Sequence, residues 1–116
     1  MIRKNLTTDK LAAMLDQVPA GITVIDLEGH ILYYNDYCAR FVDRKPEYIG
    51  RNFAFCHRKE ELVARINQML SDLTTGEQDE IYYENQRGKI KLGVMLSKFV
   101  FEGEHVGFIQ SFSLIR

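Results

Sequence analysis

An apolar stripe near the start of the chain predicts a short amphipathic helix. Thr8 or Asp9 can cap its first turn, and Pro19 with Gly21 stops it. We expect the stripe to contact either the sheet or a second subunit. In the second case it forms the dimer interface, which is the role we predict for it. Its members recur at i, i+3, i+4 and i+7, and they are Leu11, Met14, Leu15 and Val18.

The next two segments have the composition of paired strands. Residues 22–26 are mostly β-branched, and residues 30–34 are again largely apolar and aromatic. Between them Asp26 begins a tight turn in which Gly29 supplies a positive φ. The pattern predicts an antiparallel hairpin.

The middle of the chain changes to a helical period. Asn35 and Asp36 can cap a helix of about two turns, and Pro46 begins a further short turn of helix. A longer helix follows and stops at residues 74–76, which end in a glycine. Its apolar stripe consists of Leu62, Val63, Ile66, Met69, Leu70 and Leu73.

The remaining third of the chain returns to strands. We predict strands at residues 80–84, 89–101 and 105–115, separated by turns that contain glycine. Two strands, a helical insert and three strands predict an α+β fold. The expected architecture is a five-stranded antiparallel sheet with helices on one face and the amphipathic helix in front.

Composition limits the partners and the location. The chain has 116 residues, enough for one domain, and a formal net charge of -1, which favours neither nucleic acid nor an anionic membrane surface. No apolar run approaches the ~18 residues of a membrane span. The two cysteines, Cys38 and Cys56, form no disulfide framework. These features predict a cytoplasmic protein.

Two ordered motifs resemble those of the PAS domain family. Residues 21–35 read as an apolar strand, an Asp, a turn glycine, a second apolar strand and an Asn. Residues 46–51, Pro-Glu-Tyr-Ile-Gly-Arg, are similar to a second family motif. The resemblance implies a PAS domain over residues 11–116, with residues 1–10 as an N-terminal extension. The chain ends without a segment resembling an output helix, so we expect an excised domain or a stand-alone protein.

The resemblance also implies an internal pocket, which the family uses for haem, flavin or small metabolites or fills with side chains. Flavin with thiol chemistry is disfavoured, because Phe53 stands where the photosensor pattern has its reactive cysteine. His57 could be an axial ligand of haem iron, as imidazole commonly is, and Cys56 could ligate as a thiolate. Alternatively, His57 only flanks the long helix, and Cys56 is a small core residue.

Several further side chains could line such a pocket, although a plainly packed core is the alternative for each. Strand faces stay open at this point, because a slip of one residue reverses them. The other candidate cofactor-binding residues are Tyr34, Phe41, Phe53, Phe55, Met69, Met95 and Phe108.

No catalytic motif is present in the sequence, so we do not expect an enzyme. We expect a sensory and signal-transduction module that binds a small ligand or cofactor, mediates homodimerisation, and acts on a downstream signalling protein or domain. One alternative is a haem-binding gas or redox sensor that uses His57. The other is a ligand-free protein-interaction scaffold.

Overall fold

A computed structural model describes residues 6–42, 44–56 and 59–115, and the side chains of Phe55 and Cys56 lie outside this description. It contains three α-helices, five strands and two short 3₁₀ helices at Pro46–Tyr48 and Phe53–Cys56. The helices are α1 (Thr8–Gln17), α2 (Asp36–Phe41) and α3 (Glu60–Thr75). The strands are β1 (Gly21–Asp26), β2 (Ile31–Tyr34), β3 (Glu80–Arg87), β4 (Ile90–Phe101) and β5 (Glu104–Leu114).

The five strands form one antiparallel sheet in the order β2-β1-β5-β4-β3. The first and last strands, β1 and β5, therefore lie side by side in the middle of the sheet, although they are far apart along the chain. The predicted five-stranded α+β architecture is confirmed. Within the described residues, no helix is both long and apolar enough to cross a membrane.

The β1–β2 turn is stabilised by the side chain of Asp26. Its carboxylate oxygen Oδ1 accepts hydrogen bonds from the backbone N–H groups of Glu28 at 3.0 Å and His30 at 2.8 Å. Gly29 has a φ of 90°, where a side chain would be strained. Both residues therefore have the turn roles predicted from the sequence.

The third strand is longer than predicted. It continues to Arg87, which pairs with Ile90 across a two-residue turn, whereas the sequence predicted its end at residue 84. The extra residues are polar, and cross-strand pairing holds them without burial of a hydrophobic face. A two-residue connection is also the commonest for a hairpin, and Gly88 has the positive φ, 60°, that it needs.

Helix ends follow ordinary capping chemistry. The Thr7 hydroxyl accepts from the Lys10 N–H at 3.2 Å, so α1 is capped one residue before the predicted Thr8. Asn35 caps α2 as predicted. Gly76 ends α3 in a left-handed conformation, with a φ of 82°.

The hydrophobic core lies between α3, α2 and one face of the sheet. The stripe of α3 buries Ile66, Leu70 and Leu73 against residues of the central strands such as Ile25 and Phe108. A second cluster under α2 contains Cys38, Leu92, Val94 and Phe112. In contrast, none of the residues of α1 is buried. Its attachment to the domain therefore depends on something other than a shared core.

Candidate functional site

A small cavity lies within the core, between α3 and the central strands. Its volume is about 30 Å³, room for roughly one or two water molecules. Six apolar side chains form most of its wall, and three polar side chains, from β1, β5 and the loop after α2, complete it. The apolar residues are Ile25, Phe53, Ile66, Leu70, Leu96 and Phe108, and the polar residues are Thr23, Arg44 and Gln110.

A second cleft adjoins the first and shares Arg44, Ile66 and Gln110 with it. It extends towards the turn of the β3–β4 hairpin, and its volume is again about 30 Å³. Tyr83, Asn85 and Arg87 of β3 add polar groups to its wall, and apart from the shared Arg44 and Gln110 the remaining lining is apolar. Together the two adjoining spaces make up the candidate site region, and Arg44, Ile66 and Gln110 belong to the walls of both.

Polar groups inside this region contact one another. The Gln110 amide donates to the Tyr83 hydroxyl at 3.2 Å. Burial raises the pKa of Tyr83. The hydrogen bond from Gln110 opposes this rise, and so do the positive charges of Arg65, Arg44 and Arg87. The positive charges of these guanidinium groups therefore act on the Tyr83 hydroxyl.

Thr23 connects this region to α2. Its hydroxyl accepts a long hydrogen bond, 3.4 Å, from the Arg44 Nε–H. The same oxygen lies 3.2 Å from the Cys38 sulfur, close enough for a hydrogen bond. Burial raises the pKa of the Cys38 thiol, and the Thr23 hydrogen bond only partly offsets this. Cys38 is therefore a buried neutral thiol rather than a reactive thiolate.

The fully buried side chain of Asn35 connects three parts of the structure. Its carbonyl oxygen accepts from the N–H groups of Ile22 in β1 at 2.9 Å and Cys38 in α2 at 3.1 Å. Its amide nitrogen donates to the carbonyl oxygens of Leu15 in α1 at 2.7 Å and Ala20 at 2.9 Å. Because the side chain is 0% exposed, losing any of these partners would leave a buried polar group unpaired.

The structure brings together only some of the pocket residues predicted from the sequence. Phe53 and Phe108 line the first cavity. Tyr34 packs against both core clusters, while Phe41 contacts Phe112 in the cluster under α2 and Met69 packs against the main cluster; these three line neither space.

The prediction that Met95 lines the pocket is corrected by the structure, in which Met95 lies on the other face of the sheet. Its neighbour Leu96 points into the core, and successive side chains of a strand alternate between faces. Met95 instead borders a shallow outer groove with Tyr82, Gly93 and Ser111.

The candidate haem ligand His57 lies outside the described residues, as do the side chains of Cys56 and Phe55. A haem fits poorly in the interior as it stands, because cofactor sites usually enclose about 300 to 1,000 Å³. The cavity beneath α3 is about tenfold smaller than that. Haem binding by His57 therefore stays a prediction from the sequence.

Sequence reasoning missed the polar lining of the site. Every second residue of β5 from Phe108 to Phe112 points to the same face, and Gln110 is the polar one among them. Thr23 has the corresponding position between Gly21 and Ile25 in β1. A polar residue at a period-two buried position is a signal that could have found both. Arg44 lies in a loop, so no periodicity indicated its position.

The predicted dimer-interface stripe is only half covered by the rest of the chain. Leu11, Leu15 and Val18 are partly exposed, and Met14 is 45% exposed. The fold therefore leaves an apolar helix surface available for another contact.

Comparisons with known proteins found one matching family model and several solved structures with a similar fold. A family model described as a PAS domain matches residues 11–99. No curated protein matches the chain. Among solved structures, a C-terminal domain from Streptococcus mutans superposes with a TM-score of 0.83 at 22% identity, covering 100% of this chain and 92% of that chain.

Two further solved structures have the same fold. The PAS domain of BvgS from Bordetella pertussis gives a TM-score of 0.72 at 18% identity, covering 93% of this chain and 85% of its own. A sensory box sensor histidine kinase from Vibrio cholerae gives 0.66 at 13% identity, covering 91% of this chain and 90% of its own.

Proposed function

Because this chain belongs to the PAS domain family, we propose that it is a sensory module whose interior cavity is coupled to the N-terminal helix α1. Members of this family are typical of signalling proteins and are generally sensory modules rather than enzymes. In this proposal, a small ligand enters the cavity, and α1 transmits the change to a second subunit and to a downstream signalling protein.

A continuous series of polar contacts between the cavity and α1 is the observation that carries the proposal. It begins at Arg44 in the cavity wall and passes to the Thr23 hydroxyl, then to the Cys38 sulfur. The backbone N–H of Cys38 donates to Asn35, and Asn35 in turn donates to the Leu15 carbonyl of α1. Each contact is at hydrogen-bond distance, so a displacement at one end changes the partners of the next group.

The weak attachment of α1 supports its role as the responding element. The helix buries no residue, so few apolar contacts oppose its release. The Asn35 amide and the bond from the Asp36 N–H to the Asp16 carboxylate at 3.0 Å connect it to the start of α2. An element with so little buried apolar surface can change position at a cost of a few kcal/mol.

A ligand would act by favouring one position of α1 over another. It can do so only if it binds one arrangement of the cavity wall more tightly than the other. Arg44 is the residue through which this preference would act, because it lines both spaces and contacts Thr23.

The half-exposed stripe on α1 supports dimerisation as the output. In a dimer built on Leu11, Met14, Leu15 and Val18, a change in the position of α1 would alter the contact between subunits. The Vibrio cholerae relative is a sensor histidine kinase, and for this chain we propose a signalling protein or domain as the downstream partner.

Replacing Thr23 by valine tests the coupling directly. The change keeps the shape of the side chain and removes the hydroxyl that connects Arg44 with Cys38. We expect amide hydrogen exchange in α1 to become about fivefold faster, because one hydrogen bond contributes about 1 kcal/mol. Thr75→Val is the matched control, since Thr75 is exposed at the end of α3. Equal exchange of α1 in the two variants would refute the coupling.

A further inference from the structure

We propose that the ligand of this region is a small carboxylate with a short apolar tail. The carboxylate would lie in the second cleft between Arg44 and Arg87, and the tail would point past Ile66 into the first cavity. This inference rests on the proposed sensory function and adds the chemical class of the ligand.

The charge of the cleft favours an anion. Arg44 and Arg87 both line it, and its described lining residues include no aspartate or glutamate. The positive charges of both arginines also act on the partly buried Tyr83 hydroxyl and on the Cys38 thiol, where they oppose the effect of burial on each pKa. Two arginine side chains that line one space are a typical arrangement for binding a carboxylate.

Neutral donors are placed to complete the binding of the anion. Gln110 lines both spaces and uses one amide N–H on Tyr83, and a carboxamide has a second N–H to offer. Asn85 lines the same cleft. A ligand carboxylate has two oxygens, so it could accept from an arginine and from the Gln110 amide at once.

The apolar side of the region limits the tail. Beyond the shared Ile66, the first cavity is bounded mainly by apolar side chains such as Leu70 and Leu96. Its volume of about 30 Å³ is far below that of a usual cofactor pocket. Affinity should therefore rise about fourfold with each added CH₂ group at first and fall once the tail exceeds about four carbons.

Titrations with acetate, propionate, butyrate and octanoate, followed by NMR at constant ionic strength, test the proposal. We expect butyrate to bind best and to shift the side-chain amide signals of Gln110 and the methyl signals of Ile66 and Leu70. Butanol, which has the same tail without the charge, should bind at least tenfold more weakly. Inorganic phosphate tests whether charge alone is sufficient, and we expect no saturable binding.

Arg87→Gln should weaken butyrate binding about tenfold. Arg87 is exposed at the end of β3, so the fold should tolerate this change. Lys89→Gln is the matched control. It also removes one positive charge, and Lys89 lies two residues after Arg87, but its side chain borders neither space. Equal affinities in these two variants would overturn the proposal, as would butanol or phosphate binding as tightly as butyrate.

The outcomes separate this inference from the proposed function. If no carboxylate binds but Thr23→Val still loosens α1, the carboxylate is wrong and the coupling stands. If butanol and butyrate bind equally, the cavity is a ligand site but not an anion site. If carboxylates bind and Thr23→Val leaves α1 unchanged, the ligand class is correct and the coupling is wrong.

Discussion

Replacing Asn35 by aspartate keeps the shape of the side chain and exchanges its amide nitrogen for an oxygen. The retained oxygen can still accept from the N–H groups of Ile22 and Cys38, so the cap of α2 survives. The new oxygen would face the carbonyl oxygens of Leu15 and Ala20, which now accept hydrogen bonds from the amide at 2.7 and 2.9 Å. The change therefore affects mainly the attachment of α1 to the sheet.

The magnitude follows from the two lost hydrogen bonds. Each contributes about 1 kcal/mol, and leaving buried partners unpaired adds to the cost. We expect the free energy of unfolding at neutral pH to fall by about 2 to 4 kcal/mol. Release of α1 limits the loss, because the helix can move away and expose its carbonyls to water. Urea unfolding and α1 hydrogen exchange together measure both effects.

The deficit should shrink as the pH is lowered. Burial and the facing carbonyls would raise the pKa of the introduced carboxyl above its unfolded value of about 3.9. Between those two pKa values the folded variant binds the extra proton, so its stability rises as the pH falls towards about 4. The protonated carboxyl can also donate one of the two lost hydrogen bonds.

Asn67→Asp is the control for this prediction, since Asn67 is exposed on α3. Comparing the two variants removes the general effect of an added negative charge. The reasoning is refuted if Asn35→Asp is as stable as Asn67→Asp at neutral pH, or if its deficit grows as the pH falls.

Three further predictions concern other parts of the chain. Leu11→Glu with Leu15→Glu should convert a dimer to a monomer in light scattering, whereas Leu27→Glu in an exposed turn should not; a dimer that survives the double change rules out the α1 interface. Gly107→Ala should destabilise the domain by about 2 to 4 kcal/mol in urea, because its Cβ would clash with the backbone oxygen of Ile25 in β1, and a loss below about 1 kcal/mol would contradict this packing. Haem added to the protein should give no specific Soret band, because the cavity of about 30 Å³ is too small for it. A Soret band that shifts in His57→Ala would contradict this expectation.

Much of the fold could be predicted from local chemistry. The Asp26–Gly29 turn and the Asn35 cap each depend on residues within a few positions of one another. The stripe of α3 has a helical period that a strand could not bury. The order of strands and helices follows from these signals, and the PAS resemblance adds the topology.

Other features depend on contacts between distant residues and could not be predicted in the same way. Residues 85–87 belong to β3 only because β4 pairs with them. The position of Met95 required knowledge of which face of β4 is buried. Asn35 was predicted only as a cap, and its hydrogen bonds to Leu15 and Ala20 depend on where α1 lies.

The polar lining of the site was hidden for a related reason. Thr23 and Gln110 belong to strands at the two ends of the sequence, and only the β1–β5 pairing brings these residues opposite each other. Arg44 reaches them from a loop. The sequence therefore predicted a pocket through family resemblance, whereas its residues required the three-dimensional structure.

The most direct test of the account is a double-mutant cycle read out by hydrogen exchange in α1. Arg44→Met removes the guanidinium that contacts Thr23, and Thr23→Val removes the hydroxyl through which Arg44 would act on Cys38. If the cavity is coupled to α1 through these groups, each change alone will speed α1 exchange, and the double variant will exchange no faster than Thr23→Val. Independent, additive effects of the two changes, or an α1 that responds to neither, would contradict the coupling.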